Sequence, residues 1–121
     1  MSKTIMIVDD EPDLLRVTSY RLKSYGYKIQ TATNGQEALD SIQRDAPDLV
    51  LLDLVLPVMS GYQLVKILKA DDTLSKIPVI LFTASALGDL AEKVKETGAD
   101  DYIIKPFDHD ELLAKIKRFI K

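Results

Sequence analysis

Cysteine is absent from the chain, which excludes disulfides and any thiolate metal centre and fits a reducing compartment without requiring one. No apolar stretch is long enough to span a bilayer, and a strand is expected to begin by Thr4, leaving no room for a signal peptide. A cytoplasmic protein with no membrane insertion is the expectation. A glycine-rich phosphate cradle of the Walker type is also missing, so a bound nucleotide is not expected to be the phosphate donor. Internal repeats, linkers and low-complexity segments are absent. The net charge is −3, with Lys and Arg spread along the chain, so no basic stripe marks a nucleic-acid surface. Lys115, Lys117, Arg118 and Lys121 cluster at the end of the last expected helix, where cations oppose the negative helix terminus. Histidine occurs once, as His109 between Asp108 and Asp110, and reads as a solvated surface residue.

What is present is a chain of 121 residues, 46% hydrophobic and 29% charged, which is enough for one domain over residues 1–121 with one core. Short apolar runs alternate with longer amphipathic stretches, the pattern of repeated βα units around a parallel sheet. Strands are expected near 4–9, 28–32, 49–53, 79–83 and 102–105, and helices near 12–25, 35–44, 61–70, 87–97 and 109–120. Pro12 suits a first helical position. Asn34 with Glu37, Ser60 with Gln63, and Asp108 with Glu111 have capping-box spacing. Leu112, Leu113, Ile116, Phe119 and Ile120 form one core-facing stripe. In the first helix, periodicity alone leaves Leu14 and Leu15 open between exposed docking and core burial. The first, third and fourth strands are continuously apolar, as strands covered on both faces should be. The second, Lys28-Ile29-Gln30-Thr31-Ala32, alternates and belongs at an edge. Right-handed crossovers then give a doubly wound α/β sheet of order 2-1-3-4-5, with its switch point between strands one and three.

The ends of the apolar runs carry the chemistry. Ile5-Met6-Ile7-Val8 ends on Asp9-Asp10, Leu49-Val50-Leu51-Leu52 on Asp53, Val79-Ile80-Leu81-Phe82 on Thr83, and Tyr102-Ile103-Ile104 on Lys105-Pro106. Singly these are ordinary strand-end and turn residues. Together, on parallel strands, they put three carboxylates, a hydroxyl and an ammonium at the carboxyl edge of the sheet, where such folds bind ligands. Clustered carboxylates require cations. All-oxygen ligands with open positions suit Mg²⁺, for which Mn²⁺ could substitute. Asp53 could then attack phosphorus as a carboxylate nucleophile, with the metal and Lys105 screening the transferring oxygens. Thr83 and the Ala84 amide could donate to the phosphoryl group.

Over essentially its whole length the chain resembles the receiver domains of bacterial two-component response regulators, chemotaxis-regulator-like in form. The resemblance rests on Val8-Asp9-Asp10-Glu11, Asp53-Leu54-Val55-Leu56-Pro57 with Gly61, Thr83-Ala84, Gly98-Ala99-Asp100-Asp101-Tyr102 and Lys105-Pro106-Phe107. It implies a (βα)5 flavodoxin-like three-layer sandwich. Asp53 would accept a phosphoryl group from a sensor histidine kinase or phosphotransfer protein. Asp10, Asp53 and the Val55 carbonyl would hold Mg²⁺, with Asp9 acting mainly through water, and Lys105-Pro106 would be cis. The resemblance further implies that Thr83 and Tyr102 switch the face formed by the fourth helix, fifth strand and fifth helix. That face would control an effector protein or a linked output domain, in a monomer or a phosphorylation-dependent dimer. Such a domain catalyses only its own phosphorylation and dephosphorylation. In the family the first helix and the loop after the fifth strand, here with Phe107, receive the phosphohistidine partner. The residues two beyond Asp53 and Thr83, here Val55 and Ser85, tune the phosphorylated lifetime. Apolar Val55 cannot orient a water, so rapid self-hydrolysis is not expected.

Two other readings share parts of the pattern. An aspartyl-phosphate phosphatase of the haloacid-dehalogenase type needs a second acid two residues after its nucleophile, where this chain has Val55. A flavodoxin needs a Ser, Thr and Gly-rich phosphate loop after the first strand, where Asp9-Asp10-Glu11 would repel a phosphate.

Overall fold

In a computed structural model, residues 2–83 and 90–120 are described. Five strands, β1 (Thr4–Val8), β2 (Lys28–Ala32), β3 (Leu49–Asp53), β4 (Val79–Thr83) and β5 (Asp101–Ile104), form one parallel sheet of order β2-β1-β3-β4-β5. The helices are α1 (Pro12–Ser24), α2 (Gly35–Arg44), α3 (Gly61–Ala70), α4 (Leu90–Thr97) and α5 (His109–Phe119). Residues 84–89, which include the expected start of the fourth helix and Ser85, lie outside the described residues. The other boundaries fall within a residue of expectation, β5 beginning at Asp101 and β1 ending at Val8.

The sheet separates two apolar cores. Because neighbouring residues of a strand point to opposite faces, Met6, Val8, Val50, Leu52, Val79 and Leu81 pack with Leu39, Ile42, Leu64 and Leu68 of α2 and α3. Ile5, Ile7, Leu49, Leu51, Ile80 and Phe82 pack on the other face with Leu15, Leu22, Leu112 and Ile116 of α1 and α5. The result is three layers, and it explains the unbroken apolar runs of the central strands. Leu15 is buried and Leu14 is partly covered against the same core, so both contribute to packing. The α5 stripe also divides: Leu112, Ile116 and Ile120 are buried, with Leu113 and Phe119 half-covered beside them.

Helix starts follow the capping residues with local differences. Pro12 opens α1. Ser60 and Gln63 form a reciprocal capping box. Asn34 Oδ1 accepts from the Glu37 amide at 2.8 Å, but Glu37 Oε1 reaches the Thr33 amide at 3.2 Å, one residue before the cap. Asp108 Oδ1 accepts from the Asp110 amide at 2.6 Å, so Glu111 is not part of that cap. A short 3₁₀ turn, Leu74–Lys76, was not expected; Asp71 Oδ1 organises it by accepting from the Thr73 and Leu74 amides at 2.8 and 2.9 Å.

Candidate functional site

Parallel register brings the ends of β1, β3, β4 and β5 to one edge. Val8 pairs with Leu52, Asp53 with Phe82, and Thr83 with Ile104, so the residues that follow β1 and β5 flank Asp53. Asp9 is fully buried and Asp53 is 7% exposed, while Asp10 faces solvent. Carboxylate oxygens from all three lie within 4.8 Å of one another.

Lys105 closes the cluster. Its Nζ donates to Asp9 Oδ2 at 2.5 Å and to Asp53 Oδ2 at 3.1 Å, with Glu11 Oε1 farther off at 3.8 Å. The ammonium also stands 5.0 Å from the centroid of the Phe82 ring, an attraction between cation and aromatic face that the strand pattern did not reveal. The remaining carboxylate oxygens are held by backbone: Asp9 Oδ1 accepts from the Glu11 amide at 2.8 Å and Asp53 Oδ1 from the Val55 amide at 3.1 Å. The Lys105–Pro106 peptide bond is cis.

Burial pushes the Asp53 pKa up, and the Val55 amide and Lys105 only partly oppose it. For Lys105 burial acts downward, but the hydrogen bonds and charges of Asp9 and Asp53 outweigh it and hold the ammonium above its ordinary value. One ammonium against three carboxylates leaves two negative charges at a half-buried edge. An all-oxygen cluster of that charge fits a hard divalent cation such as Mg²⁺.

Two glycines explain how the loop after Asp53 comes so near. A Cβ at Gly61 would stand 2.2 Å from the Asp53 carbonyl oxygen, and one at Gly35 would stand 2.3 Å from that of Met59. Gly61 donates to Leu54 O at 3.0 Å and Gly35 to Met59 O at 3.2 Å. The Gly61 of the motif is therefore a close-approach position, and Gly35 is its unheralded counterpart.

Other expected residues lie around this edge. Thr83 ends β4, but its side chain and Ala84 lie outside the described residues. The Val55 side chain is 75% exposed beside Asp53. Tyr102 pairs with Leu81 and is half-buried, with Lys115 Nζ 5.7 Å from its ring centroid. Phe107 packs edge-on to Phe82 and to His109. Phe107 and His109, with Leu14, Val17 and Thr18, border a cavity of about 300 Å³ beside Lys105. His109 is thus half-buried against an aromatic rather than freely solvated.

Asp100 of the motif is at the opposite edge. Its Oδ2 accepts from the Val79 amide at 2.8 Å and from Lys69 Nζ at 3.0 Å, and the same ammonium donates to the Ser75 and Ile77 carbonyls at 3.0 Å each. This network ties α3, the 3₁₀ turn and the starts of β4 and β5, and touches no residue of the aspartate cluster.

Comparison with known proteins places this geometry among close counterparts. Residues 5–117 match the sequence model of the response regulator receiver domain. The chain is 41% identical over 121 residues to a probable transcriptional regulator, ycf27, of Cyanophora paradoxa, covering 98% of this chain and 48% of the relative. It spans about half the length of the curated relatives it matches. Among solved structures, chemotaxis protein CheY4 of Vibrio cholerae superposes with a TM-score of 0.92 at 28% identity, over 99% of this chain and 100% of that one. The receiver domain of a sensor histidine kinase from Pseudomonas aeruginosa PAO1 gives 0.91 at 32% identity, over 99% and 98%, and was solved with magnesium coordinated in its active-site cleft.

Proposed function

This chain belongs to the response regulator receiver domain family, and from that premise we propose that it is a phosphorylation-dependent signalling switch whose phosphoacceptor is Asp53. The single observation that carries the reading is the shared ammonium: Lys105 bridges Asp9 and Asp53 inside a three-aspartate cluster. An ionised Asp53 oxygen attacks phosphorus of a phosphohistidine on a partner kinase or phosphotransfer protein. The new O–P bond forms as the P–N bond breaks, and the imidazole leaves with the electron pair. Lys105 is already at Asp53 Oδ2, where it meets the charge carried in on the phosphoryl oxygens. Asp10, Asp53 and the Val55 carbonyl would hold Mg²⁺, with Asp9 acting mainly through water; the ion would supply neutralisation of the transferring oxygens when bound. The Thr83 hydroxyl and Ala84 amide complete the set of donors to the phosphoryl group.

The exposed, apolar side chain of Val55 offers no hydrogen bond to an attacking water, so rapid self-hydrolysis of the acyl phosphate is not expected and the domain signals rather than turns over substrate. Thr83 and Tyr102 carry the change to the face of α4, β5 and α5, which acts on an effector or a linked output domain. The relatives of twice this length are described as transcriptional regulators, which favours an output of that kind. Among the described residues no helix is long and apolar enough to cross a membrane, and we place the domain in the cytoplasm.

Acetyl phosphate with Mg²⁺ tests the assignment by intact-protein mass spectrometry. One phosphoryl adduct is expected on the wild type and none on Asp53→Asn. An adduct that persists in Asp53→Asn puts the nucleophile elsewhere.

A further inference from the structure

Among the described residues one non-glycine residue has a positive φ, Val58 at 67°. A β-branched side chain there is an outlier, since its Cβ crowds the backbone in the left-handed region. The Met59 amide donates to the Pro57 carbonyl at 2.7 Å, closing a three-residue γ-turn around Val58, a rare and strained turn at this sign of φ. Burial does not compensate: the Val58 side chain is 82% exposed.

What holds the turn is the loop on either side of it. Gly61 clamps Leu54 and Gly35 clamps Met59, each at a separation that admits no Cβ. Between the clamps lie Val55 to Val58, and the Val55 amide is bonded to Asp53 Oδ1 at 3.1 Å. A relaxation of Val58 to negative φ is thereby confined to a short segment whose first amide touches the Asp53 carboxylate.

We propose that Val58 is a positioning residue: its strained turn sets the fraction of folded molecules that present the Val55 backbone to Asp53, and so how tightly the aspartate cluster takes a divalent cation. This rests on the reading of Asp9, Asp10 and Asp53 as a cation site. A competent fraction below one raises the apparent dissociation constant in proportion. Residues that tolerate positive φ, glycine and asparagine, deepen the present turn relative to its relaxed alternatives.

The experiment compares wild type, Val58→Gly, Val58→Asn and Val58→Ile, reading the melting temperature without metal and the Mg²⁺ affinity by NMR titration. Val58→Gly and Val58→Asn are both expected to tighten Mg²⁺ about threefold to tenfold, and Val58→Asn to melt higher without metal. Val58→Ile, equally β-branched, is expected to match the wild type in both. A normal Mg²⁺ response with one affinity across all four proteins overturns the inference and leaves the site standing, as does an unchanged metal-free melting temperature in Val58→Asn. Absence of any Mg²⁺ response in the wild type overturns the cation site itself, and the inference with it.

Discussion

Lys105 Nζ lies 3.1 Å from Asp53 Oδ2 although their strands, β5 and β3, are separated by β4. The lysine spans that gap over the ring of Phe82, the residue of β4 that pairs with Asp53. An aspartate buried to 7% exposure thus has one long side chain and one backbone amide as its hydrogen-bond donors. Burial outweighs both donors and raises the Asp53 pKa above its ordinary value.

The raised pKa has a definite consequence for stability. The unfolded chain loses the Asp53 proton first as pH rises above 3.8, so over the window just above that value the folded state binds more protons than the unfolded one. Without metal, stability is therefore lost as pH rises through the folded-state pKa of Asp53. Asp53→Asn should flatten that slope and melt higher than wild type at neutral pH in chelator. Melting curves from pH 4 to about 7 check it, and a variant that melts lower throughout would mean the charged carboxylate is a net stabiliser.

Cation binding should remove the same penalty. An ion that binds only the folded state adds about 2.7 kcal/mol at roughly 100 times its dissociation constant. For a domain of this size that is a rise on the order of 10 °C. Asp10→Ala removes an exposed member of the cluster without emptying the core, and should abolish most of the rise. Calorimetry with Mg²⁺ and with chelator reads both; a wild type indifferent to Mg²⁺ contradicts the site.

The opposite edge serves as a control. Asp100→Ala leaves the Val79 amide and the Lys69 ammonium without their shared acceptor, which should cost about 1–3 kcal/mol. Because the network makes no contact with the aspartate cluster, Mg²⁺ affinity and acetyl-phosphate labelling of the folded variant should match the wild type. Loss of labelling at unchanged fold would show that the two edges are coupled.

These relationships mark what sequence could and could not carry. The strand order and the aspartate cluster were legible because each apolar run is short, unbroken and ends on a polar residue, and parallel strands bring such ends together. The capping of α3 was legible because Ser60 and Gln63 stand three residues apart, as was the Asn34 acceptor of α2, whereas at α5 the Asp108 side chain takes the Asp110 amide and leaves Glu111 out. The Lys69 network was not, since its ammonium meets Asp100 across 31 positions and two carbonyls that have no side-chain signature. Phe82 beneath Lys105 reads as one more core residue until the strands are registered. Gly35 gave no signal because its close neighbour, Met59, arrives from a different loop. The turn at Val58 defied local preference, the loop's end contacts overriding the side chain's own conformation.

Asp53, and no other carboxylate of the cluster, is the proposed acceptor of the phosphoryl group. An acyl phosphate is an activated carboxyl that borohydride reduces to an alcohol, whereas a free carboxylate is untouched. Tandem mass spectrometry after treatment with acetyl phosphate, Mg²⁺ and borohydride should therefore find the reduced side chain at Asp53 alone, and should find none when Mg²⁺ is chelated. Reduction at Asp9 or Asp10, or labelling of equal extent in chelator, would contradict the account.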